Sequence, residues 1–230
     1  MRILGIETAT PICSVAISDS ERILAHCSQN LGPLHSERLL ELTRRVLEDT
    51  GLHPKDLDGV AVSVGPGSFT GLRIGMGAAK GLCLGVSLPL LMISTLEGLA
   101  FRAPDVGLPI CSMLDAYRGE VYAGLYGWQK GGLTCLVEDS ARPIEDVLND
   151  FPRPVFCAGP GALQYRGEIK RVLGQEARFV REPFEGPEAG PIAILGAGRL
   201  RDGDISDLSG AEPNYLMRSR GTQVWEARSE

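Results

Sequence analysis

The sequence predicts an α/β fold made of two similar units in tandem, each a mixed β-sheet with flanking helices. Three observations lead there. The chain opens with three short β-rich runs, helical and strand-like periodicities alternate after them, and the same order of elements recurs in the second half. With 230 residues, 43% of them hydrophobic, the chain has apolar material for one large core or two modest ones.

Arg2–Glu7, Cys13–Ser18 and Ile23–Ser28 are separated by turn-type residues and read as an antiparallel meander. Leu39, Leu42 and Val46 then recur at helical spacing with Gly51 as a stop, so a helix is predicted over His35–Thr50. Gly59–Val64 is a Val-rich strand of the fully buried kind, and the turn Gly65-Pro-Gly-Ser68 leads from it into a helix from Phe69 to about Leu84. Leu90–Ile93 is another buried strand. Ser94 and Glu97 have the spacing of a capping box, which starts a helix over Thr95–Arg102.

In the second half, strands are predicted at Pro109–Leu114, Glu120–Tyr126 and Thr134–Val137, then a helix over Pro143–Asp150 and a strand at Val155–Ala158. A helix over Leu163–Leu173, a strand at Ala177–Val180 and a helix over Pro191–Arg201, with Pro191 in its first turn, complete the order. The duplication is one of architecture, without a sequence repeat. It divides the chain into units 1–104 and 105–230, the last segment being free to pack back on the first unit. Each unit has the ribonuclease-H-like order with right-handed crossovers. Two such units in tandem resemble actin, heat-shock chaperones and sugar kinases, whose nucleotide site lies between the domains.

A formal net charge of −6 argues against a free-standing nucleic-acid binder, which needs a surplus of Lys and Arg on one face. Six widely spaced cysteines without a CxxC pair read as reduced thiols, not as a disulfide framework or zinc site. The longest uncharged run, Gly81 to Leu96, is shorter than a membrane span and carries Pro89, and no signal-peptide pattern opens the chain. The expected location is cytoplasmic.

Gly5-Ile-Glu-Thr-Ala-Thr10 fits two readings: a plain hairpin turn, or a phosphate loop in which Glu7, Thr8 and Thr10 meet an anion and its metal. Gly65–Gly75 likewise is either a tight strand-to-helix turn with Ser68 as N-cap or a helix N-terminus aimed at an anion; it lacks the GK[ST] of a P-loop. His26, His35 and His53 form no HExxH or HxxxH, and no GxSxG occurs, so neither a local metal pair nor a nucleophile elbow is written in the chain. His35, at a helix entrance, reads as a surface or capping residue. Asp115, Arg118 and Glu120 either face an interdomain cleft or make a solvated turn with a local ion pair. Ala158-Gly-Pro-Gly has the shape of a phosphate loop or of an ordinary turn.

Ile3–Thr10, Gly65–Gly75 and Asp115–Tyr122, together with His35–Leu40 and Pro213–Arg218, resemble the TsaB (YeaZ) family over nearly the whole chain. The resemblance implies a two-domain actin-like fold and a non-catalytic subunit, with no catalytic or metal residue of its own. A TsaD-like paralogue would carry the metal and transfer threonylcarbamoyl to the adenosine beside the anticodon of transfer RNAs reading codons that begin with A. A TsaE-like ATPase would join the pair. Transfer RNA would be met only through the complex, and ATP or ADP only at the partner interface, leaving Glu7, Thr8, Thr10 and Ser68 as a vestigial or interface nucleotide loop. Where the paralogue's HxxxH would stand, this chain reads His35-Ser-Glu-Arg-Leu39, and one imidazole cannot fix a metal. An ATP-dependent kinase of the same superfamily is the alternative function, and a peptidase a more distant one.

The helix after Ser68 is the expected partner interface, for a homodimer alone and a heterodimer with the paralogue. From Phe69 to Gly85 its only charges are Arg73 and Lys80, and Gly77, Gly81 and Gly85 repeat every four residues beside Ile74. Helical glycines are costly unless another backbone approaches closely. Leu39, Thr70, Ile74, Gly77, Lys80, Gly81, Leu84 and Gly85 make up the expected surface. The competing expectation is that the stripe packs inside the chain.

Overall fold

In the computed structural model, residues 1–30, 32, 34–179 and 186–216 are described. Strands β1 (Arg2–Glu7), β2 (Ile12–Asp19), β3 (Arg22–Asn30), β4 (Gly59–Ser63) and β5 (Leu90–Ile93) form the first sheet in the order β3-β2-β1-β4-β5. The meander β1-β2-β3 is antiparallel, and β4 and β5 add parallel to β1. Strands β6 (Ile110–Asp115), β7 (Glu120–Gln129), β8 (Gly132–Pro143), β9 (Val155–Ala158) and β10 (Ala177–Phe179) form the second sheet in the order β8-β7-β6-β9-β10. The two orders are the same, so the architecture is a doubled ribonuclease-H-like fold of the actin and sugar-kinase kind. Val180, expected to end the last strand, lies outside the described residues.

Helices α1 (His35–Thr50) and α2 (Phe69–Val86) cover one face of the first sheet. Leu39, Leu42 and Val46 of α1 and Met76, Ala79 and Cys83 of α2 meet Leu4, Ile6, Val15, Ile17, Val60 and Val62 there. Gly51 closes α1 in the left-handed conformation (φ 66°) that its missing side chain permits. Ser68 caps α2, its hydroxyl oxygen accepting from Gly71 N–H (3.2 Å).

Short α3 (Thr95–Phe101) stands between the sheets. Ser94 caps it as expected, and the Glu97 carboxylate reaches back to the Ser94 backbone N–H as in a capping box while also pairing with Arg199. Helices α4 (Ile144–Asp150), α5 (Pro160–Gln164) and α6 (Arg166–Leu173) belong to the second sheet. The single helix expected over Leu163–Leu173 is thus two, because Tyr165 departs from helical geometry between them. β8 runs through Pro143, well past the expected Thr134–Val137, as the long partner of β7.

The last helix, α7 (Ala189–Arg201), returns to the first sheet and covers its other face against β1, β2, β4 and β5. Small residues make this possible. A Cβ at Gly5 would overlap the Ala189 carbonyl and Ala193, and one at Gly196 would overlap Ala61. Ser206 N–H then donates to Leu90 C=O (3.0 Å), and Ala211 enters the core beneath α1 and α2. Among the described residues, no helix is long and apolar enough to cross a membrane.

Candidate functional site

The ends of β1, β4 and β6 open on a cleft of about 1090 Å³ between the two sheets. Its near wall is Ala9–Ile12, His35 and Pro66–Gly71 with Ile74; its far wall is Leu114–Arg118, Tyr122, Pro160 and Gln164; Asn214–Leu216 reach its mouth. Sequence segments as far apart as Thr10, Ser68, Asp115 and Asn214 therefore converge on one place.

The residues of the first loop divide between two levels. Thr10 and Ser68 line the cleft, whereas Glu7 and Thr8 are wholly buried beneath it. Thr8 donates its hydroxyl to Gly71 C=O (2.8 Å), and a Cβ at Gly71 or Gly75 would overlap Thr8. The loop is thus the surface on which α2 is seated. Ser68 N–H donates to Ala9 C=O (2.7 Å), and a Cβ at Gly67 would overlap Ala9, so the two loops bond directly to each other.

Glu7 Oε1 accepts from Ala9 N–H (2.6 Å), and the Ser63 hydroxyl and Thr8 N–H also act on the buried carboxylate. Burial outweighs these bonds and pushes the carboxyl up to about 7. His35, expected at the surface or as a cap, is buried at the start of α1, where no side chain caps the helix. Its Nε2–H donates to Thr10 C=O (2.7 Å) and so fixes the loop to α1. His26 Nε2 meets Ser14 Oγ at 2.9 Å, a pair invisible in the sequence because its members lie on adjacent strands. Ser14 is fully buried and also accepts from Ala189 N–H (3.0 Å), so the pair anchors α7 and exposes no nucleophile.

On the far wall, Asp115 Oδ1 accepts from Tyr117 N–H (3.1 Å) and from the Tyr165 hydroxyl (3.0 Å). Tyr117 and Arg118 both hold left-handed backbone (φ 66° and 59°), unusual for side-chain-bearing residues, and Tyr117 stands 72% exposed. No Asp115–Arg118 ion pair forms, and Glu120 starts β7 outside the cleft lining. Gly159 and Gly161 fit α5 against the backbone of Met113 and Leu114, which accounts for the Gly-Pro-Gly run as packing.

Beside the cleft, Tyr215 stacks on Phe69 (4.8 Å between ring centroids), and Arg73 lies 4.1 Å from the Phe69 ring while its Nε–H donates to the Tyr215 hydroxyl (3.1 Å). Asn214 N–H donates to Val64 C=O (2.7 Å). These aromatic contacts sit inside the Gly65–Gly75 and Pro213–Arg218 runs, but their pairing requires the fold. Met217 and Arg218 lie outside the described residues.

Of the expected interface residues, Leu39 is 1% exposed and belongs to the core; its place on the Leu39–Leu42–Val46 stripe puts it inward, and its neighbour Leu40 is the exposed one. Thr70, Gly77, Gly81, Leu84 and Gly85 are exposed on α2, with Ile74 and Lys80 half-buried. Among the described residues, nothing lies within 4 Å of where a Cβ would stand at Gly77, Gly81 or Gly85. The stripe packs neither on the chain's own sheet nor on α1. Among the described residues, no cluster of three His, Cys, Asp or Glu side chains could hold a metal.

A family model described as TsaD, tRNA N6-adenosine threonylcarbamoyltransferase, matches residues 29–166. The chain is 38% identical to the tRNA threonylcarbamoyladenosine biosynthesis protein TsaB of Escherichia coli, over 98% of this chain and 97% of that one. It is 30% identical to the protein of the same name in Bacillus subtilis, over 98% of both. Among solved structures, YeaZ from Pseudomonas aeruginosa superposes with a TM-score of 0.82 at 29% identity, over 94% of this chain and 99% of that one.

Proposed function

The chain belongs to the TsaB (YeaZ) family, and from that premise we propose that it is a non-catalytic subunit for threonylcarbamoyl transfer to transfer RNA, binding and activating a TsaD-like paralogue through α2. The observation that carries this reading is the uncovered stripe of α2. Gly77, Gly81 and Gly85 weaken the helix by roughly 0.5–1 kcal/mol each relative to alanine, and no packing among the described residues offsets it. Leu84, 72% exposed, lies beside them. A second helix laid along the stripe would supply the missing contacts, from another copy when the chain is alone and from the paralogue when it is present.

The loop geometry supports a scaffold over a kinase. The hydroxyl of Thr8 and the N–H of Ser68 are already used in seating α2, and the Glu7 carboxylate is shut away from the cleft. The peptidase reading finds no exposed nucleophile at Ser14. In this account the complex works in the cytoplasm with a TsaE-like ATPase, and the net charge of −6 leaves most of the grip on transfer RNA to the partners.

Sedimentation of this chain mixed with its TsaD-like paralogue tests the proposal. A one-to-one complex replacing a self-associated species is the expected result. Two independently sedimenting proteins would overturn it.

A further inference from the structure

Away from the α2 surface, a polar cluster joins the two sheets through α3. It begins at Gly124, where the pairing of β7 with β8 shifts register. A Cβ on Gly124 would overlap Asp139 Oδ1, so the glycine makes room for the carboxylate and the irregular pairing turns Asp139 inward. Asp139 Oδ1 accepts from the Tyr126 hydroxyl (2.5 Å), and Oδ2 accepts from the Ser94 hydroxyl. Ser94 in turn receives the N–H groups of Leu96 (3.0 Å) and Glu97 (3.3 Å) as the cap of α3. Tyr126 is 2% exposed, so water cannot readily replace the bond to Asp139.

The cluster continues to the first sheet. Arg199 Nη2, on α7, donates to both oxygens of Glu97 (3.1 Å each), and Nη1 donates to Asp204. One chain of bonds therefore runs from β7 and β8 through α3 to α7. From Tyr126, β7 leads back to the Tyr117–Arg118 turn that forms the far wall of the cleft.

We propose that Asp139 is an interlobe latch: by holding Tyr126 of the second sheet and the cap of α3 on one carboxylate, it fixes how far apart the walls of the cleft stand. Tyr126 is part of a third apolar cluster that packs α3 on the second sheet, but Asp139 and Ser94 belong to neither large core, so replacing Asp139 leaves each sheet with its own apolar core. What is lost is the fixed angle between them.

Dipolar electron paramagnetic resonance on the full chain tests this, with spin labels carried by unnatural residues at positions 70 and 118, on opposite walls, and labelled chain diluted into unlabelled chain. Wild type should give one narrow distance distribution. Asp139→Asn should broaden it at least twofold or shift it to longer distance, while Val147→Ala, which loosens the second core without touching the latch, should leave it narrow. If Asp139→Asn does not fold, Tyr126→Phe decides by the same criterion. An unchanged distribution in the latch variant, or equal broadening in Val147→Ala, overturns the proposal.

Discussion

Glu7 shows how far a single residue's identity can mislead about its use. An acid after the first strand, followed by two threonines, fits a metal-bearing phosphate loop in the sequence. In the fold, the side chain of Glu7 points to the α7 side of the sheet, along with Gly5 and Ser14, and is fully buried. Sequence could place Glu7 at the strand end but not say which side of the loop would be solvated. The buried carboxyl titrates near 7 when folded and near 4.5 when free, so the folded state favours the proton. Stability is therefore greatest below about pH 4.5 as far as this group is concerned, and is lost as pH rises from there through 7, by on the order of 3 kcal/mol. Glu7→Gln keeps an acceptor for Ala9 N–H and for the Ser63 hydroxyl while removing the titrating proton. Denaturant titrations at pH 5 to 8 should show the variant more stable than wild type at pH 8, with a flatter profile; parallel profiles would refute the assignment.

At the scale of the element, α2 carries two glycine stripes that look alike in sequence and differ in the fold. Gly71 and Gly75 lie against Thr8, whereas a Cβ at Gly77, Gly81 or Gly85 would meet nothing within 4 Å among the described residues. The sequence marked the second stripe and its spacing; it could not separate the two, because only the position of the first loop decides which one is filled. The consequence is a difference of sign. Gly75→Ala should destabilise the chain by about 1–3 kcal/mol through overpacking. Gly81→Ala should stabilise it by about 0.5–1 kcal/mol, and Gly81→Leu should leave thermal unfolding intact while abolishing self-association in sedimentation. Unfolding of Gly81→Leu, or association at the wild-type level, would return that stripe to an internal role.

For the whole molecule, the order of strands and helices was legible because buried strands such as β4, β5 and β9 are short apolar runs flanked by Gly, Pro or Asp, and because the order recurs. The return of α7 was allowed for, the last segment being free to pack back on the first unit, but the face it would use was not. Ala189-Gly-Pro-Ile-Ala-Ile-Leu-Gly-Ala-Gly198 is apolar on every side, so its periodicity names no face, and it is the small residues at Gly5 and Ala61 that accept it. The convergence of Thr10, Ser68, Asp115 and Tyr215 on one cleft likewise depends on how the sheets sit, which Ser94, Tyr126 and Asp139 help to set. The central claim is that this chain supplies an interface and its paralogue the chemistry. It is tested most directly by measuring threonylcarbamoyl transfer from threonylcarbamoyl-adenylate to a transfer RNA transcript, with this chain, the TsaD-like paralogue and the TsaE-like ATPase each omitted in turn. The account predicts no product from this chain alone and a loss of at least tenfold when it is left out. Transfer by this chain alone, or undiminished transfer without it, would contradict it.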